Sequence, residues 1–476
     1  MIHVLAATSS DLVAARQQMA FTLAFHIVLA SFGVSFPFIT LVANYRGIRK
    51  NDPDALLLAQ RWSKAMAVLF AVGAITGTLL SFEMGLLWPG LMDRYGDVFG
   101  IPFAFEGLFF FTEAIFIAIY IYGWKRLRPW PHFFSGIPIA FAGVFGTLSV
   151  VAANSWMNQP TGFTTDAEGN ITSTDPWAAI FNGATKFEVP HMLLAAYMVG
   201  SFMVASVYAV GMLKGRRDRY HKIGLLIPLT IGAIVVPVQM FVGDFAARSV
   251  FEDEPVKFAA IEMVPTTASN VPETLFGRYD KETNTVSGGI RIPDLGSILS
   301  GFSPDTEIQG LDTVPPDERP PVTIVHWAFD IMVFIGTAMM GLSAWFGFVW
   351  WRKRRIPNTK WFLRAVAVSG VACIVAVWAG WTVTEVGRQP WVVHGLLRTE
   401  DAVTDVGGLW FWFSGVIVLY VGIGVTTVLV LRRMARTWRA AGEEGSPYGP
   451  SNELVGTAAA TSPSAGPERS TPDVSS

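Results

Sequence analysis

Nine apolar stretches, each long enough to cross the hydrocarbon of a bilayer, leave this chain almost no freedom in choosing an architecture. They fall near 20–44, 62–84, 101–124, 134–153, 188–213, 223–246, 323–350, 361–387 and 409–431. A helical crossing needs about 20 mostly apolar residues. In lipid a spanning segment must satisfy its own backbone polar groups, which selects helices for runs of this length. The composition agrees: only 15% of the 476 residues are charged, against about 25% in a soluble domain. A net charge of −2 offers nothing to nucleic acid. The single cysteine, Cys373, lies inside an apolar run, which excludes a disulfide framework and a cysteine-ligated zinc or iron–sulfur site. The first residues, MIHVLAATSSDLVAARQQ, lack a basic start followed by an apolar core, so no cleaved signal peptide is expected.

The charges between the runs alternate. Arg46, Arg49, Lys50, Arg61 and Lys64 follow the first run, and Lys125, Arg126 and Arg128 the third. Lys214, Arg216, Arg217, Arg219 and Lys222 follow the fifth, and Arg352, Lys353, Arg354, Arg355, Lys360 and Arg364 the seventh. Arg432, Arg433, Arg436 and Arg439 follow the ninth, while the opposite short loops hold only Arg94, Lys186, Arg388 and Arg398. Cytoplasmic loops carry the excess of Lys and Arg. The expectation is an all-α integral membrane protein, a bundle of nine transmembrane helices with the N-terminus outside and the C-terminus cytoplasmic. Residues 1–246 hold helices one to six, 247–322 form a long polar outer loop, and 323–439 hold helices seven to nine. The Gly/Ala/Ser/Thr/Pro/Glu-rich tail 440–476 reads as disordered and dispensable. No internal repeat stands out.

Ionisable groups inside membrane spans are costly and mark function by default. Here they share one depth near the outer surface: His26, Glu83, Glu106, Glu113, Glu188, His191, Asp244, Asp330 and Glu385, with Met332 beside them. Glu106 and Glu113, seven residues apart, share a helix face. A layer of His, Met and Glu from several helices is what a cofactor within a helix bundle requires. Imidazole and thioether are good axial ligands for heme iron, and a carboxylate suits a high-spin iron with an open position. Plainer readings stand beside this one. A lone histidine near a helix end is more often an interfacial hydrogen-bonder, and methionine fills gaps in cores. Glu106 and Glu113 can serve only packing. His3, His132 and His221 read as solvated, His326 and His394 as surface groups, and Lys257 and Glu262 as ordinary loop charges. The residues alone leave a redox protein and a secondary transporter both open.

Seven blocks in order carry a resemblance: RQQMAFTLAFHIVL (16–29), AFEGLFFFTEAIF (104–116), VAANSWMNQP (151–160), KFEVPHMLLAAY (186–197), KFAAIE (257–262), FDIMV (329–333) and GWTVTEVGRQPW (380–391). The chain resembles subunit I of cytochrome bd-type quinol oxidases over everything before the tail, in the branch with a short quinol loop. The last block, a span-ending Glu followed by GRQPW, is the most specific. The resemblance implies three cofactors: a low-spin heme b, a high-spin heme b and heme d. His191 and Met332 match the ligands of the low-spin heme, and His26 and Glu385 match the ligands of the other two. Glu106 and Glu113 match carboxylates expected to deliver protons or compensate charge. Asn154 and Trp381 line the same region. Arg388 is expected to face heme propionates and Trp391 to pack on a macrocycle. Lys257 and Glu262 match the quinol-site pair of the 247–322 loop. Asp330 departs from the family, which often has Arg two residues before the ligand Met.

The resemblance thus implies an enzyme of the bacterial cytoplasmic (inner) membrane. It is expected to oxidise quinol at the outer face and reduce O2 to water, building a proton-motive force without pumping. A subunit II, small single-span accessory subunits and membrane lipid are the expected partners, with no nucleic acid. No continuous polar line from the inner side is visible in the spans, so the partner subunit is expected to supply the proton route. The alternatives are a non-catalytic heme b electron-transfer subunit and a secondary transporter. Transporters usually show internal repeats and interrupted helices at the midplane.

Overall fold

The computed structural model describes residues 9–440 together with 447 and 448. Its helices are α1 (Ser9–Lys50), α2 (Pro53–Leu87), α3 (Pro89–Gly123), α4 (Pro129–Ser135), α5 (Ile137–Asn158), α6 (Pro176–Ile180), α7 (Thr185–Leu213), α8 (Arg219–Asp253), α9 (Pro255–Ile261), α10 (Leu295–Gly301), α11 (Val322–Lys353), α12 (Lys360–Gly387), α13 (Thr399–Ala402) and α14 (Leu409–Ala440). Among the described residues nine helical segments are long and apolar enough to cross a membrane, with α4 and α5 counting as one. Most run well beyond the apolar core that marked them in the sequence, because polar and charged end turns continue the same hydrogen-bond ladder.

Local chemistry fixes the starts. Asp52 accepts from the Ala55 amide, and Pro53 takes the first helical position of α2. Asp218 accepts from the His221 amide at the start of α8, and Thr359 from Phe362 at the start of α12. Such oxygens satisfy amides that a helix start leaves unpaired. Asp52 does more: Arg46 Nε stands 3.0 Å from its Oδ2 and Arg219 Nη1 2.6 Å from its Oδ1. The α1–α2 turn is thereby tied to the base of α8.

The crossings sort into two groups. α1, α2, α3 and α5 pack on one another, as do α7, α8, α11 and α12, and α7 joins the groups through α1 and α5. α14 lies against α1 and α2. Large apolar side chains such as Phe111, Phe241, Trp351 and Phe411 remain exposed. A hydrocarbon surround accounts for them, since lipid is as apolar as leucine.

The all-α expectation needs a correction outside the crossings. Among the described residues four two-stranded antiparallel sheets occur there: β1 (Phe163–Thr165) with β2 (Ile171–Thr174), β3 (Glu273–Leu275) with β6 (Ile290–Ile292), β4 (Arg278–Asp280) with β5 (Thr285–Ser287), and β7 (Trp391–Val393) with β8 (Leu397–Arg398). Strands of two to four residues are too short for a period-two pattern to show. The long outer segment is also built, not structureless. It begins after α8 ends at Asp253 and contains α9, β3 to β6 and α10.

Two more expectations change. His132 is fully buried, its ring stacked on Tyr120 at 4.3 Å and its Nε2 donating to the Tyr120 carbonyl at 2.7 Å. The short helix α4 turns it inward despite the basic residues around it. His326 is likewise buried, at 1% exposure. His221 is partly buried against Asp218, His394 is exposed, and His3 lies outside the described residues. Most of the tail lies outside them too. Its Tyr448, however, is buried, with its hydroxyl 3.1 Å from His132 Nδ1 and 3.0 Å from Asn44 Oδ1.

Candidate functional site

A cavity of about 1050 Å³ opens inside the first helix group and reaches α12 and α7. His26 comes from α1, Glu106 and Glu113 from α3, Asn154 from α5, and Trp381 and Glu385 from α12; Arg388 lines the wall just past the end of α12. Most of the remaining wall is apolar. Thr76 fixes the histidine. Its hydroxyl is directed at the carbonyls of Val72 and Gly73, so it accepts from His26 Nδ1 at 3.0 Å. Nε2 then carries the lone pair, the state a metal ligand needs. Gly77 faces the ring: a Cβ there meets His26 Cε1 at 2.9 Å. Glu113 Oε1 is buried without a hydrogen-bond partner among the described residues. Glu83, another acid within the spans, has a structural job. It accepts from Thr22 Oγ1 at 2.6 Å and Gln18 Nε2 at 3.0 Å, joining α2 to α1.

Glu385 sits in the last turn of α12 with both oxygens held. Asn154 Nδ2 donates to Oε1, and Arg388 Nη2 donates to Oε2 at 2.7 Å. Arg388 is 2% exposed at its side chain and Glu385 33%. Arg388 Nη1 also donates to Asn158 Oδ1 at 3.2 Å, while its Nε is buried with no partner among the described residues. Asn158 is a hub. Lys257 Nζ donates to the same oxygen at 3.0 Å, and Asn158 Nδ2 donates to Glu188 Oε1 at 3.1 Å. Lys257 further pairs with Glu254.

His191 and Met332 lie away from this cavity, in the second helix group on α7 and α11. Each faces a glycine: a Cβ on Gly243 meets His191 Cε1 at 3.2 Å, and one on Gly380 meets Met332 Sδ at 3.0 Å. Gln239 Nε2 stands 3.3 Å from both imidazole nitrogens, and its Oε1 is buried without a partner among the described residues. Imidazole and thioether with glycines opposite, and a carboxylate and an imidazole around an apolar-walled cavity, form a donor set that fits flat iron macrocycles. Trp391 is not part of the cavity wall. It starts β7, with the Arg398 guanidinium 5.2 Å from its ring centre.

Lys257 and Glu262 bracket α9 and turn to different neighbours. Lys257 faces Asn158 and the Glu385 end. Glu262 hydrogen-bonds with Glu273 of β3 and feels Asp330 of α11. Burial first, and then these like charges, push its carboxyl well above the usual range. Burial raises Glu273 as well. Asp330 is turned to the loop, where its Oδ2 accepts from the Phe276 amide at 2.6 Å and lies 3.4 Å from His326 Nε2.

Sequence reasoning passed over Asn158, Glu254, Glu273 and His326. Asn158 was detectable, being one turn beyond Asn154 on the same helix face. α1 also carries a row of buried polar groups (Ser31, Ser35, Thr40 and Asn44) that runs from near Gly33, whose position faces Glu113, towards its C-terminal end. The C-terminal half of α1 is thus less bare of buried polar groups than its sequence suggested.

Comparison with known proteins agrees with the geometry. A model of the family described as cytochrome bd terminal oxidase subunit I matches residues 14–438. A putative cytochrome bd menaquinol oxidase subunit I of Bacillus subtilis (strain 168) is 35% identical over 428 residues, 88% of this chain and 96% of that one. A cytochrome bd ubiquinol oxidase subunit 1 of the same organism is 31% identical, covering 89% and 93%. The solved structure of bd oxidase from Geobacillus thermodenitrificans superposes with a TM-score of 0.84 at 34% identity, covering 90% of this chain and 98% of that chain.

Proposed function

This chain belongs to the cytochrome bd terminal oxidase subunit I family, and from that premise we propose that it is the heme-bearing catalytic subunit of a quinol:O2 oxidoreductase in a bacterial cytoplasmic membrane. The carrying observation is the convergence of His26, Glu106, Glu113 and Glu385 on one apolar-walled cavity. Low-spin heme b held by His191 and Met332, with high-spin heme b and heme d held by His26 and Glu385, would supply electron transfer and oxygen reduction. Thr76 keeps His26 in the ligating tautomer, and Asn154 with Arg388 orients the Glu385 carboxylate. The unpaired Arg388 Nε is a donor to spare for a propionate, where a guanidinium–carboxylate contact is favourable. Glu106 and Glu113 move protons or offset charge at the cavity. The polar row on α1 is the share of an inward route this chain offers, and subunit II supplies the rest.

The dense Lys/Arg loops put the C-terminal end of α1 in the cytoplasm and α9 outside. Quinol is oxidised beside α9, where Glu262 takes its proton and Lys257 anchors the helix to the Glu385 network. Phe276 and Trp327, rings 5.2 Å apart and each partly exposed, offer an aromatic face to a lipid-borne quinol next to this segment. The protons leave to the outer side, so charge separates without a pumping element.

A reduced-minus-oxidised absorption spectrum of the purified complex tests the reading. Heme b bands with a far-red heme d band that responds to carbon monoxide are expected. Heme b alone would reduce the role to electron transfer, and no heme bands at all would leave the transporter.

A further inference from the structure

Glu262 does not stand alone. It caps the C-terminal end of α9 at 7% exposure, and its carboxyl hydrogen-bonds with that of Glu273, itself 9% exposed at the start of β3. The titratable groups facing the pair are His326 and Asp330, both from α11. Among the described residues neither a lysine nor an arginine faces the pair. Lys257, five residues away, is committed to Glu254 and Asn158. His326 stands 2.6 Å from the Ile261 carbonyl through Nδ1, and its Nε2 faces the Gly277 amide and Asp330 Oδ2, each at 3.4 Å. Two hydrogen-bonded carboxyls, buried together with no lysine or arginine beside them, resist ionising at the same time.

We propose that Glu273 is the second half of the quinol-proton acceptor: the Glu262–Glu273 pair holds one proton at rest and takes a second from a quinol hydroxyl. This rests on the reading that Glu262 serves quinol oxidation. In the step, the quinol O–H bond breaks and its proton adds to the anionic oxygen of the pair. The electron leaves towards the oxidase's heme acceptors. The neutral pair then releases one proton to the outer surface before the second hydroxyl is discharged. Glu273 acts through Glu262 and is a positioning residue. His326 braces α9 against the β3–β4 corner.

The test uses the whole oxidase complex, with heme absorption as the check on folding. Infrared difference spectra across pH should show a protonated-carboxyl band that titrates in two steps, as a coupled pair does. In Glu273→Gln the band should titrate in one step, and quinol oxidation should slow by roughly tenfold or more, within the range general-base effects span. Glu273→Asp should restore the two-step titration, and it also serves if the glutamine variant folds poorly. A two-step band unchanged in Glu273→Gln overturns the proposal and leaves Glu262 as a lone base. Full quinol oxidation in Glu262→Gln with intact hemes instead removes the reading beneath it.

Discussion

Replacing Asn158 with alanine should loosen the end of the bundle where α5 and α12 finish more than the loss of a neutral residue suggests. The side chain is 1% exposed and makes three hydrogen bonds, accepting from Lys257 and Arg388 and donating to Glu188. Bonds to charged groups contribute about 1.5–3 kcal/mol each. Lys257 keeps Glu254 and Arg388 keeps Glu385 after the change, so the low end applies. The total loss is roughly 3–5 kcal/mol, near what breaking a buried ionic contact costs. The assay is thermal denaturation of the complex, followed by loss of heme absorption at fixed detergent and pH. A fall of several degrees is expected, because about 1 kcal/mol moves the midpoint of even a 150–250-residue domain by about 2–4 °C. Asn158→Asp retains the two acceptor bonds and should rank between alanine and wild type. A midpoint for Asn158→Ala within about a degree of wild type would refute the hub, since bonds of this class would then contribute almost nothing.

Three further outcomes are expected. His191→Ala should lose the low-spin heme b band while the far-red band survives, and a full low-spin signal would refute that ligand. Gly77→Ala should perturb only the high-spin signals, because its Cβ meets His26 at 2.9 Å, and Gly380→Ala only the low-spin signal, because its Cβ meets Met332 Sδ at 3.0 Å; identical spectral changes in both would dissolve the assignment. Glu262 and Glu273, with carboxyls raised above their unfolded range, stabilise the loop below about pH 4, and that contribution is lost as pH rises through the folded values. Loop amides should therefore exchange hydrogen more readily towards neutral pH, after correction for intrinsic exchange, and a pH-independent protection in the wild type would contradict the shifts.

The crossings were legible because lipid imposes one rule on every residue of a span, and that rule leaves a continuous apolar run. His26, Glu385 and their neighbours were legible because block motifs preserve local spacing. Asn158 was legible only as a helix-face neighbour of Asn154, and its partners were not. Its partners lie 30 to 230 positions away in the chain, and each looks like an ordinary boundary residue in its own segment. The same holds for Glu262. The sequence offered Lys257 as its companion, five residues away, but α9 turns the two apart and a hairpin brings Glu273 in. His132 misled for a related reason: charge density along the chain reports the average environment of a loop, not the direction of one ring.

Helix α9 is only seven residues long, yet it packs on α8, α11 and α12 at once. Its first turn is wired through Asn158 to the Arg388–Glu385 pair, and its end abuts the Glu273 and Asp330 carboxyls just before Met332. On the proposed ligand and quinol assignments, a helix with both ends engaged in this way would link binding at the loop to the electronic state of the irons. If occupancy by a quinone-like inhibitor shifts the midpoint potential of an iron, then by reciprocity the redox state of that iron must shift the inhibitor's affinity by the same factor.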